Sequence, residues 1–223
     1  MKIIAHIKTD FKEKFGIPRQ SGLVPEARGK IVFEKEYRVA EAFRGLEDFS
    51  HIWVLWQFSE SQRDDWSPTV RPPLLGGNKR VGVFATRSPF RPNPIGLSCV
   101  RLEKIKYTKT EGPVLYVSGA DMLDNTPIYD IKPYLPYADS YPNAVGGFTE
   151  GLSERKVDVR ISVDNFYNLS AALQSEIIKI LSHDPRPSYK NDDKIYGMKY
   201  NDYEIKFKVD DKILNVTSVE KIK

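Results

Sequence analysis

The sequence predicts a mostly β protein, an antiparallel sandwich or barrel, followed by a small α+β C-terminal domain. Up to residue 145 the apolar residues fall in short runs separated by glycine- and proline-rich turns, which is the pattern of all-β folds. The one clear amphipathic helix comes late, at Leu169–Leu181, where apolar residues recur at helical spacing. The change of pattern indicates two domains of different class.

The first domain is expected to span residues 1–145 and to consist almost entirely of strands. One or two helical turns are expected at Tyr37–Phe43. Ser59–Asn78 reads as a long loop whose apolar residues pack onto the rest of the domain. Apolar runs rich in β-branched and aromatic residues predict the strands Met1–Lys8, Lys30–Glu34, His51–Phe58, Val81–Ala85, Ile95–Val100, Cys99–Lys106, Val114–Gly119 and Ile128–Ile131. Of these, His51–Phe58 is almost wholly apolar, as in a strand buried on both faces.

The second domain is expected at residues 150–223, after a segment that contains a Gly-Gly pair and few apolar residues. The alternating run Val157–Val163 predicts a strand before the helix, and Pro185 ends the helix because the residue before a proline disfavours helical backbone. Three further strands follow at Ile195–Tyr200, Tyr203–Val209 and Lys212–Val216. The predicted order is therefore β-α-β-β-β.

Composition excludes several classes of protein. The charge of +4 is only mildly basic, and the single Cys99 excludes an internal disulfide and a multi-cysteine zinc site. No metal site is predicted. No apolar stretch approaches the length of a membrane span, and the N-terminus lacks the core of a signal peptide, so a cytoplasmic protein is expected.

The stretch Arg80–Ser98 is the strongest local signal for function. Between Trp66 and Leu102 there are six Lys or Arg residues and no Asp or Glu. Such a basic island in a nearly balanced chain indicates an anionic partner. Prolines 89, 92 and 94 restrict the loop that carries Arg87 and Arg91, which should hold both guanidiniums in place before binding.

Several segments together resemble the TsaA-like family and its tRNA-modifying branch, TrmO. The segments, in chain order, are KEKFGIPRQ at 12–20, RGLEDFSHIW at 44–53, PTVRPPLLGG at 68–77, VGVFATRSPFRPNPIG at 81–96, TPIYDIKPYLP at 126–136 and DPRPSY at 184–189. The resemblance implies a dimeric methyltransferase on a TsaA-like β-barrel, with S-adenosylmethionine as cofactor. Its implied substrate is the N6 nitrogen of threonylcarbamoyl-adenosine at tRNA position 37, in the anticodon loop.

The resemblance also implies which residues bind the cofactor. The matching positions are Pro18, Arg19, Gln20, Ser59, Glu60, Arg87, Leu97, Met122, Leu123, Asp124 and Asn125. Ser59-Glu60 departs from the His-Gln pair common in the family. Physically, Asp124 can accept hydrogen bonds from amino and ribose groups, and Arg87 or Arg19 can donate to a carboxylate.

Substrate and catalytic residues are expected in the basic loop, at Lys132 and in the DPRPSY segment. Arg91, Asn93, Lys132 and Arg186 are the candidates for holding RNA phosphates and the threonyl carboxylate. Asp184 and Tyr189 are the candidates for catalysis, Asp184 as a hydrogen-bond acceptor and Tyr189 for stacking or proton handling.

Other interpretations stay open at this point. Arg87 could be a surface cation, and Asp124-Asn125 could be only a turn. The chain could also be a non-catalytic module that binds RNA or S-adenosylmethionine, or a barrel methyltransferase whose substrate is not tRNA.

Overall fold

A computed structural model describes residues 1–61, 65–150, 156–186 and 193–222 of the chain. The strands of the described residues are β1 Ala5–Thr9, β2 Arg28–Phe33, β3 His51–Gln57, β4 Thr69–Val70, β5 Val81–Gly82, β6 Ile95–Thr108, β7 Gly112–Ser118, β8 Thr126–Pro133, β9 Asp158–Ile161, β10 Tyr196–Tyr200, β11 Tyr203–Asp210 and β12 Ile213–Lys221. The α-helices are α1 Pro136–Asp139 and α2 Ala171–Ser182.

The N-terminal part is a closed six-stranded barrel in the order β1-β2-β7-β6-β3-β8. All neighbouring strands are antiparallel, and Ala5 opposite Ile128 joins β1 to β8 and closes the wall. Closure leaves no unpaired edge strand. The predicted mostly β fold is confirmed, and closure decides between the sandwich and the barrel.

The barrel interior is filled by side chains that alternate along each strand. Along β3 every second residue is buried and the others are partly exposed, so the prediction that both faces are buried was wrong. Trp56 packs across Gly96 of β6 so closely that a Cβ atom at Gly96 would overlap the indole ring. The buried residues of this core include Ile7, Ile31, Ile52, Val54, Val100, Leu115, Val117, Met122 and Ile128.

Two predictions within the basic stretch need correction. Val81–Ala85 is not a buried strand: only Val81–Gly82 is extended, and it pairs with β4 in a separate two-stranded ribbon. Val83–Ala85 is a 3-10 turn in which Val83 alone is buried, because the amide of Val83 donates to the carbonyl of Pro68 and turns the chain there. Ile95–Val100 and Cys99–Lys106 form one long strand, β6, which continues to Thr108.

The expected helical turns near Tyr37–Phe43 are two short 3-10 turns, Lys35–Tyr37 and Ala40–Phe43. The loop predicted at Ser59–Asn78 contains β4 and the 3-10 turns Ser59–Ser61 and Pro73–Leu75. Its Trp66 and Leu74 are exposed rather than packed onto the barrel. Outside the three gaps in the described chain, no helix is long and apolar enough to cross a membrane.

The C-terminal part has the predicted order β-α-β-β-β. Its sheet runs β10-β11-β12-β9, with β9 parallel to β12 and the other pairs antiparallel. Ser170 caps α2 by accepting a hydrogen bond from the amide of Leu173, as expected for an N-cap serine. The helix buries Ile177, Ile180 and Leu181 against the sheet.

The segment between β1 and β2 belongs to the C-terminal core, although it precedes most of the barrel in the chain. Phe11, Val24 and Ala27 pack with the buried residues of α2 and β10–β12. Phe11 forms a β-bridge with Tyr200, and their rings lie 5.1 Å apart. The Tyr200 hydroxyl donates to the Glu176 carboxylate at 3.2 Å, and burial raises the pKa of Glu176. This segment therefore ties the two parts of the chain together.

The contact of Gly96 with Trp56 predicts a stability difference. Gly96→Ala should destabilise the barrel by about 1–3 kcal/mol because the new methyl group overpacks the core. For a chain of this length that corresponds to a loss of about 2–12 °C in Tm. Gly82→Ala is the matched control, since nothing lies within 4 Å of its Cβ position. Equal Tm values for the two variants, measured by circular dichroism, would contradict the close packing.

Candidate functional site

The site is built around the segment Pro18–Gln20, which lies in the connection between β1 and β2. Nη2 of Arg19 donates to the carbonyl oxygen of Arg186 at 3.1 Å and to that of Asp184 at 3.5 Å. Burial lowers the pKa of Arg19, and the charge of Asp184 opposes that shift. Arg19 thus anchors this segment to the end of the C-terminal helix region.

The loop after β5 meets the same segment through a side-chain pair. Nη1 of Arg87 donates to Oε1 of Gln20, and the two residues are 67 positions apart in the sequence. The structure therefore brings together two of the motifs that sequence analysis assigned to cofactor binding. A guanidinium beside an amide presents several donors to an anionic group such as a carboxylate.

Asp121 lies beside this pair and was missed by sequence reasoning. Ser98, fully buried on β6, donates to Oδ1 of Asp121 at 2.6 Å, and the indole of Trp56 donates to the Ser98 hydroxyl at 2.9 Å. Burial raises the pKa of Asp121 to about 6, while the Ser98 hydrogen bond and the positive charge of Arg87 act in the opposite direction. The only signal in the sequence was an Asp directly before the predicted turn 122–125.

The turn 122–125 is held tightly against the end of β1. Oδ1 of Asp124 accepts from the amide of Thr9 at 3.0 Å, and Oδ2 pairs with Nζ of Lys12 at 3.0 Å. Oδ1 of Asn125 accepts from Lys8 at 2.8 Å, and its backbone is left-handed, with φ of 65°. Asp124 therefore shapes the turn. Beside Asp124 in the same turn, Met122 is fully buried and Leu123 offers its carbonyl to Thr126.

The remaining predicted cofactor residues lie just after the C-terminal end of β3 and on β6. Ser59 and Glu60 form the exposed 3-10 turn after β3, and Lys14 contacts both the carbonyl and the carboxylate of Glu60. Leu97 points outward from β6 and is about half exposed. These three residues leave accessible surface for a ligand.

Arg91 and its neighbours hold the shape of the proline-rich loop. Nη2 of Arg91 donates to the carbonyls of Thr86 at 2.7 Å and Val83 at 3.2 Å. Asn93 is exposed, and Lys132 forms an ion pair with Asp130 at 2.9 Å. Part of the Arg91 guanidinium, which was expected to face RNA, therefore makes hydrogen bonds within the loop and stabilises its shape.

Asp184 and Arg186 form a buried ion pair with each other. Both side chains are fully buried, and both carboxylate oxygens accept from the guanidinium at 2.8 Å. In this structure the guanidinium of Arg186 is buried against Asp184, and binding of RNA by Arg186 stays a prediction. The carboxylate of Asp184 is likewise enclosed, and the left-handed backbone of Asp184, with φ of 47°, fits a sharp change of direction after α2. Tyr189, the other catalytic candidate, lies outside the described residues.

Gln20, Arg87 and Asp121 therefore form the polar centre of the candidate site. Ser21 joins them, since its hydroxyl accepts from the amide of Cys99 and its backbone hydrogen-bonds Asp121. Within the described ranges, no group of His, Cys, Asp and Glu residues has the arrangement of a metal site.

Comparison with known proteins identifies the family. A model of the tRNA-methyltransferase O (TrmO) N-terminal domain matches residues 6–140, and a model of the TrmO C-terminal domain matches residues 156–222. The chain belongs to the TrmO family. The resemblance drawn from the sequence motifs is confirmed.

Relatives and solved structures agree with this assignment. A tRNA (adenine(37)-N6)-methyltransferase of Escherichia coli K12 is 40% identical over 226 residues, which cover 97% of this chain and 96% of the relative. A probable S-adenosyl-L-methionine-binding protein of Pyrococcus abyssi is 37% identical over 147 residues, which cover 66% of this chain and 74% of that protein. A crystal structure of TrmO from Pseudomonas aeruginosa superposes with a TM-score of 0.77 at 33% identity, covering 98% of this chain and 97% of the other.

The raised pKa of Asp121 predicts a pH-dependent stability. The folded-state value of about 6 lies above the ordinary value of 3.8, so the folded protein holds this proton more tightly than the unfolded chain does. The contribution of Asp121 to the stability of the wild type should therefore be lost as the pH rises from about 4 to about 6. Asp121→Asn stays uncharged at every pH and can still accept the hydrogen bond from Ser98. The Tm of this variant relative to that of the wild type should therefore rise across that window.

Thermal unfolding at about pH 4.5 and about pH 7.5 measures this difference. Asp158→Asn, at an exposed position of β9, serves as the control for loss of a surface charge. A Tm difference between Asp121→Asn and wild type that is the same at both pH values would contradict the prediction.

Proposed function

We propose that the chain is an S-adenosylmethionine-dependent tRNA methyltransferase that methylates the N6 nitrogen of adenosine at position 37. The observation that carries the proposal is similarity to the Escherichia coli enzyme along nearly the whole of both chains. The grouping of Gln20 and Arg87, from motifs far apart in the sequence, supports it independently.

The polar centre fits the amino-acid end of S-adenosylmethionine. Arg87 offers guanidinium donors for a carboxylate, and Asp121 offers an acceptor for an ammonium group. Leu97 supplies exposed apolar surface on β6 for the uncharged part of the cofactor. When bound, S-adenosylmethionine supplies a methyl group on a positively charged sulfur.

Two residues of the predicted cofactor set, Arg19 and Asp124, support the site by fixing the backbone around it. Pro18 directly precedes Arg19 in the same segment. Arg19 ties the segment that carries Gln20 to the carbonyls of Asp184 and Arg186. Asp124 fixes the turn that follows Asp121 through Thr9 and Lys12. Ser59 and Glu60 border the site at the end of β3, where their backbone groups are the proposed contacts.

We further propose that the substrate nucleoside is threonylcarbamoyl-adenosine in the anticodon loop. Its carboxylate and the neighbouring phosphates match the basic loop, in which Asn93 is exposed, and Lys132 on β8, which is paired with Asp130. Arg91 supports this loop from inside through Val83 and Thr86. Much of the rate enhancement of methyl transfer would come from holding the two reactants in line.

The carbamoyl group withdraws the lone pair of N6, so a group that polarises or removes the N6 proton would assist the reaction. Tyr189 remains the candidate for this role or for stacking. Asp184 is proposed as a positioning residue, because its carboxylate holds the guanidinium of Arg186 in the buried pair. That pair fixes residues 184–186, which precede Tyr189 in the sequence.

We propose a cytoplasmic homodimer with domains at 1–145 and 150–223. Exposed apolar side chains on the segment after β8, namely Tyr137, Tyr141 and Val145, support a surface that a second copy covers. A tRNA substrate supports the proposed cytoplasmic location.

Methylation itself can be tested with tRNA from a strain in which the gene is deleted. Purified protein and S-adenosylmethionine are added, and the nucleosides at position 37 are analysed by mass spectrometry. Appearance of the methylated nucleoside is the expected result. Cofactor binding without methylation would instead indicate a non-catalytic binding module.

Arg87 should be essential for cofactor affinity. Arg87→Ala removes the proposed donors for the cofactor carboxylate, and S-adenosylmethionine binding measured by calorimetry should weaken by about 10-fold or more. Arg101→Ala, an exposed arginine on β6 paired with Glu103, is the control and should bind as wild type does. Unchanged affinity in the Arg87 variant would remove Arg87 from the site.

A further inference from the structure

The two-stranded ribbon of β4 and β5 stands apart from both main sheets and carries an exposed aromatic pair. Trp66 precedes β4 and Phe84 follows β5, and their rings stack 6.1 Å apart at an interplanar angle of 28°. Trp66 is 49% exposed and Phe84 is 75% exposed, and neither belongs to the two hydrophobic cores. Large aromatic side chains that stack on each other in solvent indicate a surface that another molecule covers.

Positive charge is concentrated at the other end of the same ribbon. Val70 pairs with Val81. Arg71 follows Val70 and Arg80 precedes Val81, so both arginines lie at this end of the ribbon. Lys79 directly precedes Arg80 in the sequence. In the part of the chain that the structure describes, none of these three residues forms a salt bridge. All three residues are exposed, and a cluster of positive charges on the surface attracts an anionic partner.

The ribbon is held in place relative to the proposed cofactor site. Nε of Arg80 donates to Oγ1 of Thr69 at 2.8 Å, which orients its guanidinium. Val83 is buried, and its carbonyl accepts from Arg91 of the loop that carries Arg87. Hydrogen bonds of Val83 therefore connect the ribbon to the loop that carries Arg87, a residue of the proposed cofactor site.

We propose that this aromatic–basic ribbon binds single-stranded RNA, with a nucleobase stacked on Trp66 or Phe84 and phosphates held by Arg71, Lys79 and Arg80. The inference rests on the proposed function, because the RNA would be part of the tRNA substrate. Stacking on an aromatic ring together with phosphate contacts is the general mode of single-strand binding.

A second copy of the chain is the competing occupant, and charge argues against it. A copy related by a two-fold axis would bring its own Arg71 and Arg80 towards the same region. The uncharged tyrosines of the segment after β8 suit a protein partner better. The ribbon suits a polyanion.

The test measures binding of an unmodified anticodon stem-loop RNA to the full chain by fluorescence anisotropy over a range of salt concentrations. The double variant Trp66→Ala, Phe84→Ala should bind about 10-fold more weakly at every salt concentration, because stacking is not electrostatic. The double variant Arg71→Gln, Arg80→Gln should also bind more weakly. Its slope of log affinity against log salt should be lower by about 1–2, since fewer counterions are released.

Matched controls are available on the barrel. Tyr107→Ala removes an exposed aromatic residue from β6, and Arg101→Gln removes an exposed arginine. Both controls should bind RNA as wild type does. The single variant Phe84→Ala serves if the double variant does not fold, because Phe84 is largely exposed.

The ribbon assignment alone would be overturned if both ribbon variants bound RNA with the affinity and salt slope of the wild type while the wild-type protein still methylated tRNA. Failure of the unmodified protein to bind or methylate tRNA would overturn the proposed function instead. A fall in molar mass by light scattering in the aromatic variant, with unchanged RNA affinity, would identify a second copy as the occupant and also overturn the proposal.

Discussion

The burial of Phe11 against Tyr200 is the contact on which the candidate site depends. It fixes the connection between β1 and β2 in the C-terminal core, and that connection carries Arg19, Gln20 and Ser21. Once the connection is fixed, Arg19 reaches the carbonyls of Asp184 and Arg186, and Gln20 reaches Arg87. The site therefore lies where the barrel and the C-terminal part meet, and neither part supplies it alone.

The barrel contributes the other half of the site through a polar chain in its wall. The indole of Trp56 donates to Ser98, and Ser98 donates to Asp121. Gly96 is required beside this chain because any larger side chain would displace Trp56. Burial makes this carboxylate costly to ionise and raises the pKa of Asp121, although the hydrogen bond from Ser98 acts in the opposite direction. Such a group favours a bound cation nearby more strongly than a solvated carboxylate would.

Most of the strands and α2 could be predicted because their apolar residues follow a clear period. Val81–Ala85 could not, since its apolar pattern is equally compatible with a short ribbon, and hydrogen bonds to Pro68 and Arg91 decide between the two. Arg87 and Gln20 were found through motifs. Asp121 was missed because its environment comes from two strands, β3 and β6, and from the connecting segments that carry Ser21 and Arg87. The burial of Arg186 was missed because charged residues are normally exposed and only tertiary packing reveals the pairing with Asp184.

The position of residues 11–27 in the C-terminal core has a consequence for how the chain is made. Asp10 and Asn201 are hydrogen-bonded although 191 positions separate them. During synthesis the barrel strands are complete when β8 emerges from the ribosome, but Phe11 stays uncovered until the last strands arrive. A nascent or truncated chain could therefore close its barrel while Gln20 and Arg87 are still apart. The contacts of Arg19 with the carbonyls of Asp184 and Arg186 would thus form only after residues 184–186 have been made.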